Sequence, residues 1–340
     1  MKKTQLKQLV TLFISFALWS SVVSAQVPST SSGQATSTGS GQAFPTRTIR
    51  AIVPYAPGGS TDVVMRVLAP RMSEILGQQV IVENRPGGSS TIGLDAAAKA
   101  QPDGHTMGVA NISFGANPSL IRKMPFDSEK DLLPVSLFSM VTLMLAVHPS
   151  VPAKTVKDLI AIAKAQPGAM NYASAGNASA NHLATERFNS ATGIKMTHVP
   201  YKGGGPAVIA LLSGETALLF ATIPSSVQHI KTGKLRALGV SSLKRSVALP
   251  DVPSVAEAGV PGFEANEWNG GLVPAGTPRA VIDRLYQAVA KSAAIPEVRE
   301  RIIALGADPV GSTPEAFGTF IKSEFVTWAK IIREVGIKVE

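Results

Sequence analysis

Three short stretches hold most of the residues that could do chemistry. Each is rich in glycine and in small hydroxyl or amide side chains. The first, YAPGGSTD, runs from Tyr55 to Asp62. Gly58 and Gly59 permit a tight turn and a close backbone approach to a ligand. Ser60 and Thr61 add hydroxyl donors. If a helix starts here, its first amides lack intrahelical partners and sit at the positive end of its dipole, which suits an anion. Asp62 suits an anion less and reads as a first-turn cap. The chemistry on offer is a carboxylate-sized cradle. A loop that only caps its own helix has the same composition, so this stretch alone leaves both readings open. No Gly-Lys-Ser/Thr follows the glycines, which makes a phosphate-binding P-loop a poor match.

The second stretch, SAGNASANH, runs from Ser174 to His182. Ser174, Asn177, Ser179 and Asn181 are neutral hydrogen-bonding groups around Gly176. A nucleophile elbow would need glycine two residues before Ser174, and Tyr172 stands there. His182 opens the next helix, as a base, a pH switch or the holder of a structural hydrogen bond. The third stretch is YKGGGPA. Tyr201 could stack on a ligand, and Lys202 could pair with a second carboxylate or stay solvated. Gly203 to Gly205 precede a helix in which Pro206 suits the first position. The histidines at 105, 148, 182, 198 and 229 show no paired metal spacing. With no cysteine, disulfides, thiolate metal sites and a thiol nucleophile are excluded. The expectation is a site without catalytic residues, cofactor or metal.

The elements that must carry these stretches alternate. Apolar runs such as Ile49 to Pro54, Gln79 to Glu83, His105 to Ala110 and Leu143 to Val147 read as strands, interleaved with amphipathic helical patterns. A helix from Val63 to Leu76 is expected to kink at Pro70. Thr155 and Asp158 fit a capping pattern. A second series follows: strand 170–173, helix 182–192, strand 197–200, helix 206–212, and strands 217–220 and 235–241. Near the C-terminus, Phe317, Ile321, Phe325, Trp328 and Ile332 share one helical face and read as core. The pattern predicts an α/β fold with a glycine-rich strand-to-helix junction in each half. Two such units facing each other would bring both junctions to one ligand.

The first residues carry Lys2, Lys3 and Lys7, then an apolar stretch and Val23-Ser24-Ala25, which predicts a secretory signal peptide cleaved after Ala25. The stretch falls short of the ~20 residues of a membrane span. Residues 26–43 are uncharged and mostly Ser, Thr, Gly and Gln, as in a flexible tether. The chain has 340 residues, a net charge of +9 and only 16% charged residues. Lacking a Lys/Arg cluster interleaved with aromatics, it offers a diffuse field for anionic ligands and no nucleic-acid footprint. The 45% hydrophobic content is enough for two core-bearing domains.

Taken together, IVPYAPGGSTD, VIVENRPGG, NYASAGNASANHL, HVPYKGGGPA, GKLRALGVSSLKRSVALPDVPSVAEAGVPGFE and LVPAGTP resemble the substrate-binding proteins of tripartite tricarboxylate transporters, the Bug family of periplasmic receptors. The resemblance runs from Phe44 to Ile337. It implies a type II periplasmic-binding-protein fold, two α/β domains joined by a hinge with the ligand cleft between them. By the same analogy, residues 44–145 plus 270–340 would form one domain and residues 146–269 the other. The implied ligand is a small organic carboxylate, a di- or tricarboxylate or an aromatic acid. The implied partners are the membrane components of such a transporter, with a monomeric receptor in the periplasm. Carried onto this chain, the ligand contacts would come from Tyr55, Ala56, Pro57, Gly58, Gly59, Ser60 and Thr61. Ser174, Ala175, Gly176 and Ser179 would add those of the second junction. Asn111, Ser113, His182, Tyr201, Lys202 and Ala221 would line the same cleft. Two departures stand out. Ala178 replaces the usual glycine, Ala217 stands where relatives commonly carry aspartate, and Ala221 stands where some of them carry an acid. Without an acid there, the expectation shifts from amino acids towards plain organic acids. Two rivals remain: a secreted hydrolase of carboxylate esters using Ser174 with His182, and a sensory receptor without a dedicated transporter. A regulatory module of a transcription factor would need a helix-turn-helix where the leader stands.

Overall fold

A computed structural model describes residues 44–335, with side chains to Arg333. The predicted leader and tether lie outside the described residues. In chain order the elements are β1 (Ile49–Val53), α1 (Ser60–Leu76), β2 (Val80–Asn84), α2 (Thr91–Ala98), β3 (Thr106–Asn111), α3 (Ile112–Leu120) and β4 (Leu132–Val147). There follow α4 (Val156–Ala165), β5 (Asn171–Ser174), α5 (Ala180–Thr192), β6 (Thr197–Pro200), α6 (Gly204–Leu212), β7 (Leu218–Thr222), α7 (Ile223–Lys231) and β8 (Arg236–Val240). The chain closes with β9 (Asn266–Pro274), α8 (Arg279–Ala294), α9 (Pro296–Ala304), β10 (Ala307–Pro309) and α10 (Pro314–Val335).

The strands form one mixed sheet in the order β2-β1-β3-β9-β4-β7-β5-β6, with β8 and β10 also paired to β4. β1 lies parallel to β2 and β3, and β5 parallel to β6 and β7. The long strand β4 joins the two parallel groups. Through residues 132–142 it runs antiparallel to β9; through 143–147 it pairs with β7 and β8 instead. The partner change at Thr142/Leu143 divides the sheet into two halves, and the chain returns to the first half at Asn266, where β9 begins. This is the α/β architecture of a type II periplasmic binding protein.

Two elements on this seam escaped the sequence reading. Only the last five residues of β4 read as a strand, because LLPVSLFSMVTLMLAV lacks alternation and contains Pro134. The pairing accommodates Pro134 through register shifts between 134 and 136 and between 137 and 139. β9, NEWNGGLVP, has poor strand propensity. Its glycines are required by packing. A Cβ on Gly270 would lie 2.2 Å from the Phe317 ring, and one on Gly271 would lie 2.7 Å from Phe138. Helix α1 runs through Pro70 without a break. The Thr155/Asp158 capping box is present. Phe317, Ile321, Trp328 and Ile332 of α10 are buried in the core, and Phe325 packs against it.

Candidate functional site

The parallel strands of both halves end at the same place. β1 leads into Tyr55 and the glycine turn, β3 ends at Asn111, β5 leads into Ala175, and β7 ends at Thr222. In open α/β sheets the carboxyl ends of strands are where ligands sit. Here they enclose a cavity of about 20 Å³ lined by Tyr55, Gly59, Ser60, Thr61, Asn111, Ala175, Ser179, Ala180, Asn181, Gly204, Thr222 and Glu267. That is room for roughly one water. Five helices begin on this cavity: α1 at Gly59, α3 at Asn111, α5 at Ser179, α6 at Gly203 and α7 at Thr222. Each helix start favours a nearby anion by about 0.3–1 kcal/mol. Among the described residues no lysine, arginine or histidine lines the cavity.

The first junction is held from behind. Asp62 accepts from Gly58 N at 3.0 Å, from Arg66 Nε at 2.9 Å and from Asn84 Nδ2 at 2.9 Å. These donors outweigh its burial and keep its carboxyl below the usual range. Asp62 therefore caps the turn and faces away from the cradle. Asn84 also donates to Tyr55 O at 2.9 Å. The Tyr55 hydroxyl lies 2.5 Å from Ser113 Oγ and 3.2 Å from Asn111 Oδ1. Burial pushes its phenol up to about 12, so it stays neutral.

The two glycine loops meet face to face. Ala56 N donates to Lys202 O at 3.1 Å, and Ser113 Oγ donates to Ala178 O at 2.9 Å. A Cβ on Gly205 would lie 2.3 Å from Pro57 O, one on Gly203 2.8 Å from Ala56 N, and one on Gly59 3.5 Å from Gly204 N. The glycines of YAPGGSTD and YKGGGPA thus let backbone pack on backbone across the two halves. Beyond this contact lies a wider cavity of about 490 Å³, which shares Tyr55 and Ala175 with the inner one and adds Gly176, Asn177, Tyr201 and Lys202.

The predicted residues fall into four groups. Tyr55, Gly59, Ser60, Thr61, Asn111, Ala175 and Ser179 line the inner cavity. Gly176, Tyr201 and Lys202 line the outer one, where the Tyr201 hydroxyl donates to Glu215. Ala56, Pro57, Gly58 and Ser113 form the contact between halves without lining either space. The remaining three are not brought to the cavity. Ala221 packs in an apolar cluster with Met144, Ala173 and Leu219. Ser174 is fully buried, with its Oγ 2.6 Å from His198 Nε2. The His182 ring stacks on His198 at 4.1 Å and accepts from Ala178 N. Burial lowers His182 to about 3 and His198 to about 4, so both are neutral. The serine's partner is therefore His198, where the sequence pointed to His182.

Glu267 was not read from the sequence. It is 3% exposed, accepts from Ser60 Oγ at 2.7 Å and from Asn111 Nδ2 at 2.9 Å, and lines the inner cavity. The sequence shows alanine at 217 and 221 and no acid there, but the structure brings an acid into the cavity from β9 instead. Burial outweighs its two donors and pushes its carboxyl up to about 7. The signal in the sequence was an acid next to tryptophan at the head of an apolar run, NEWNGGLVP.

Residues 64–337 match the family described as "Tripartite tricarboxylate transporter family receptor". The chain belongs to this family. The family is one of solute-binding receptors, not enzymes. Protein BugT of Bordetella pertussis is 37% identical over 342 residues, covering 100% of both chains. Rpa4515 of R. palustris with adipate is 34% identical with a TM-score of 0.84, covering 87% of this receptor and 99% of that chain. MatC of Rhodopseudomonas palustris with bound malate is 31% identical with a TM-score of 0.81, covering 85% and 100%. Among the described residues no helix is long and apolar enough to cross a membrane.

Proposed function

We propose that the protein captures a small organic carboxylate in the inner cavity, in the periplasm, for uptake by the membrane components of a tripartite tricarboxylate-type transporter. The observation that carries this reading is the convergence of five helix starts on one cavity without a lysine, arginine or histidine in its lining. Such a site suits an anion held by amides and hydroxyls. A charge-assisted hydrogen bond contributes about 1.5–3 kcal/mol, and micromolar affinity needs about 8 kcal/mol. A few such bonds with buried ligand surface suffice. The adipate and malate complexes of the two relatives support the ligand class.

A cavity of about 20 Å³ holds no dicarboxylate, so entry requires the two halves to part and close again. The hinge is proposed in β4 at Thr142/Leu143 and just before β9 at Asn266, so the two domains would meet a few residues before the 145/146 and 269/270 bounds that the resemblance implied. The receptor acts as a monomer whose ligand stabilises the closed form by contacts made only there. Ser174 and His198 face neither cavity, which favours capture over ester hydrolysis.

Gly59→Asp tests the reading. Gly59 caps α1 with φ −79°, a conformation aspartate adopts readily, and aspartate is a favoured cap. Its carboxylate would occupy the cradle from within. Calorimetry with di- and tricarboxylates, aromatic acids and amino acids should show binding by the wild type and none by the variant, while thermal stability holds. Equal affinity in both proteins would refute the site.

A further inference from the structure

We propose that Glu267 is the specificity-determining residue of the inner cavity and makes capture proton-linked. One solvent proton enters with each carboxylate ligand and is held on Glu267 Oε2, and Ser60 then turns its hydroxyl hydrogen from Glu267 to the ligand. The proposal rests on the carboxylate-capture reading and adds the charge state that the captured complex must have.

The geometry allows the proton only one place. Asn111 is fixed in orientation, because its Oδ1 accepts from the backbone amide Ser113 N at 3.1 Å. Its Nδ2 must therefore donate to Glu267 Oε1, which it does at 2.9 Å. Oε2 faces Ser60 Oγ at 2.7 Å, and a hydroxyl can donate or accept. With Glu267 ionised, Ser60 donates to it. With Oε2 protonated, the same bond reverses and the Ser60 hydrogen is released. Ser60 and Glu267 line the same cavity, so the released donor is available to a ligand there.

The charge balance supplies the reason. Glu267 and Tyr55 are the titratable side chains in the lining, and none of the lining residues is a cation. From α1, Asp62 is turned to Gly58, Arg66 and Asn84. From β3 and α3 come Asn111 and Ser113, and from the end of β1 Tyr55, whose burial keeps it neutral. On β4 the residue paired with Glu267 is Val141. The other half presents Ala175, Ser179, Ala180, Asn181, Gly204 and Thr222, none of them ionisable. An entering carboxylate would therefore meet an existing carboxylate with no cationic side chain between them. Like charges at one buried site cannot both stay ionised, so one takes a proton. Burial already raises the Glu267 carboxyl, and a second anion raises it further.

The test is calorimetric titration of adipate and malate between pH 7 and 9, where both acids are fully ionised, in two buffers of different ionisation enthalpy. The wild type is expected to take up about half a proton per ligand at pH 7, where Glu267 is already about half protonated, and close to one by pH 9, with affinity falling towards tenfold per pH unit. Glu267→Gln is expected to bind with no proton uptake and a flat profile. Ser60→Ala is expected to keep the uptake while binding about fivefold or more weakly. A wild type that binds with no proton uptake overturns the proposal alone. So does a zwitterionic amino acid such as aspartate bound more tightly than either probe and without proton uptake. Absence of binding by wild type and variants at every pH overturns the carboxylate reading itself. If Glu267→Gln fails to fold, the wild-type proton count decides.

Discussion

Gly205→Ala separates closure from folding. Gly205 lies in the first turn of α6, where alanine is compatible with the backbone and should stabilise the helix by about 0.5–1 kcal/mol. Its new Cβ would meet Pro57 O at 2.3 Å, so the two loops must part by roughly 1 Å to restore an ordinary contact. Two hydrogen bonds cross that contact: Ala56 N to Lys202 O at 3.1 Å and Ser113 Oγ to Ala178 O at 2.9 Å. At about 0.5–1.5 kcal/mol each, their loss costs the closed form about 1–3 kcal/mol, or about 5- to 150-fold in affinity. Gly203→Ala is a poorer probe, because Gly203 has φ +144° and strain would mix with the clash. The assay is paired: calorimetry with whichever carboxylate the wild type binds best, and thermal unfolding without ligand. The reasoning predicts weaker binding with an unchanged or raised melting temperature. Unchanged affinity together with unchanged stability would show that the glycine-to-glycine contact plays no part in capture.

The pH dependence of stability should carry two opposite signatures. The Glu267 carboxyl is raised from 4.5 to about 7 in the folded state, so its stabilising proton is fully present below pH 4.5 and lost as pH rises through 7. That loss is worth about 3 kcal/mol, and Glu267→Gln should be the more stable protein at pH 8, with its advantage fading below pH 5; a constant difference across that range would refute the shift. His182 and His198 are lowered to about 3 and about 4, so the unfolded chain takes up protons first as pH falls below 6.5. Stability should drop by up to about 1.4 kcal/mol per pH unit for each ring, and His198→Gln should flatten the acid limb in urea titrations; an unchanged limb would contradict the buried neutral pair.

The α/β alternation and the capped helices were legible because they rest on local signals. Val156 to Ala165 has its cap at Thr155 and Asp158, and α1 ends on Gly77 in the left-handed region. The glycine turns were legible as loops that invite backbone contact. What they contact was not, since Gly205 meets Pro57 only through the long-range fold. β4 and β9 were obscured for a related reason. Their strand character comes from pairing and from rings that need a missing Cβ, and local propensity opposes it. Glu267 was missed with β9, and with it the charge of the site. Ala221 was placed by motif position, whereas the apolar pairing of β4 and β7 turns it into the core.

The most direct measurement is a crystal structure of the receptor grown with adipate or malate. The account predicts the acid between the two halves, one carboxylate within hydrogen-bond distance of the amides at Ser60–Thr61 and Ala180–Asn181, with Glu267 against it. An acid bound elsewhere on the molecule, or held mainly by a lysine or arginine, would contradict it.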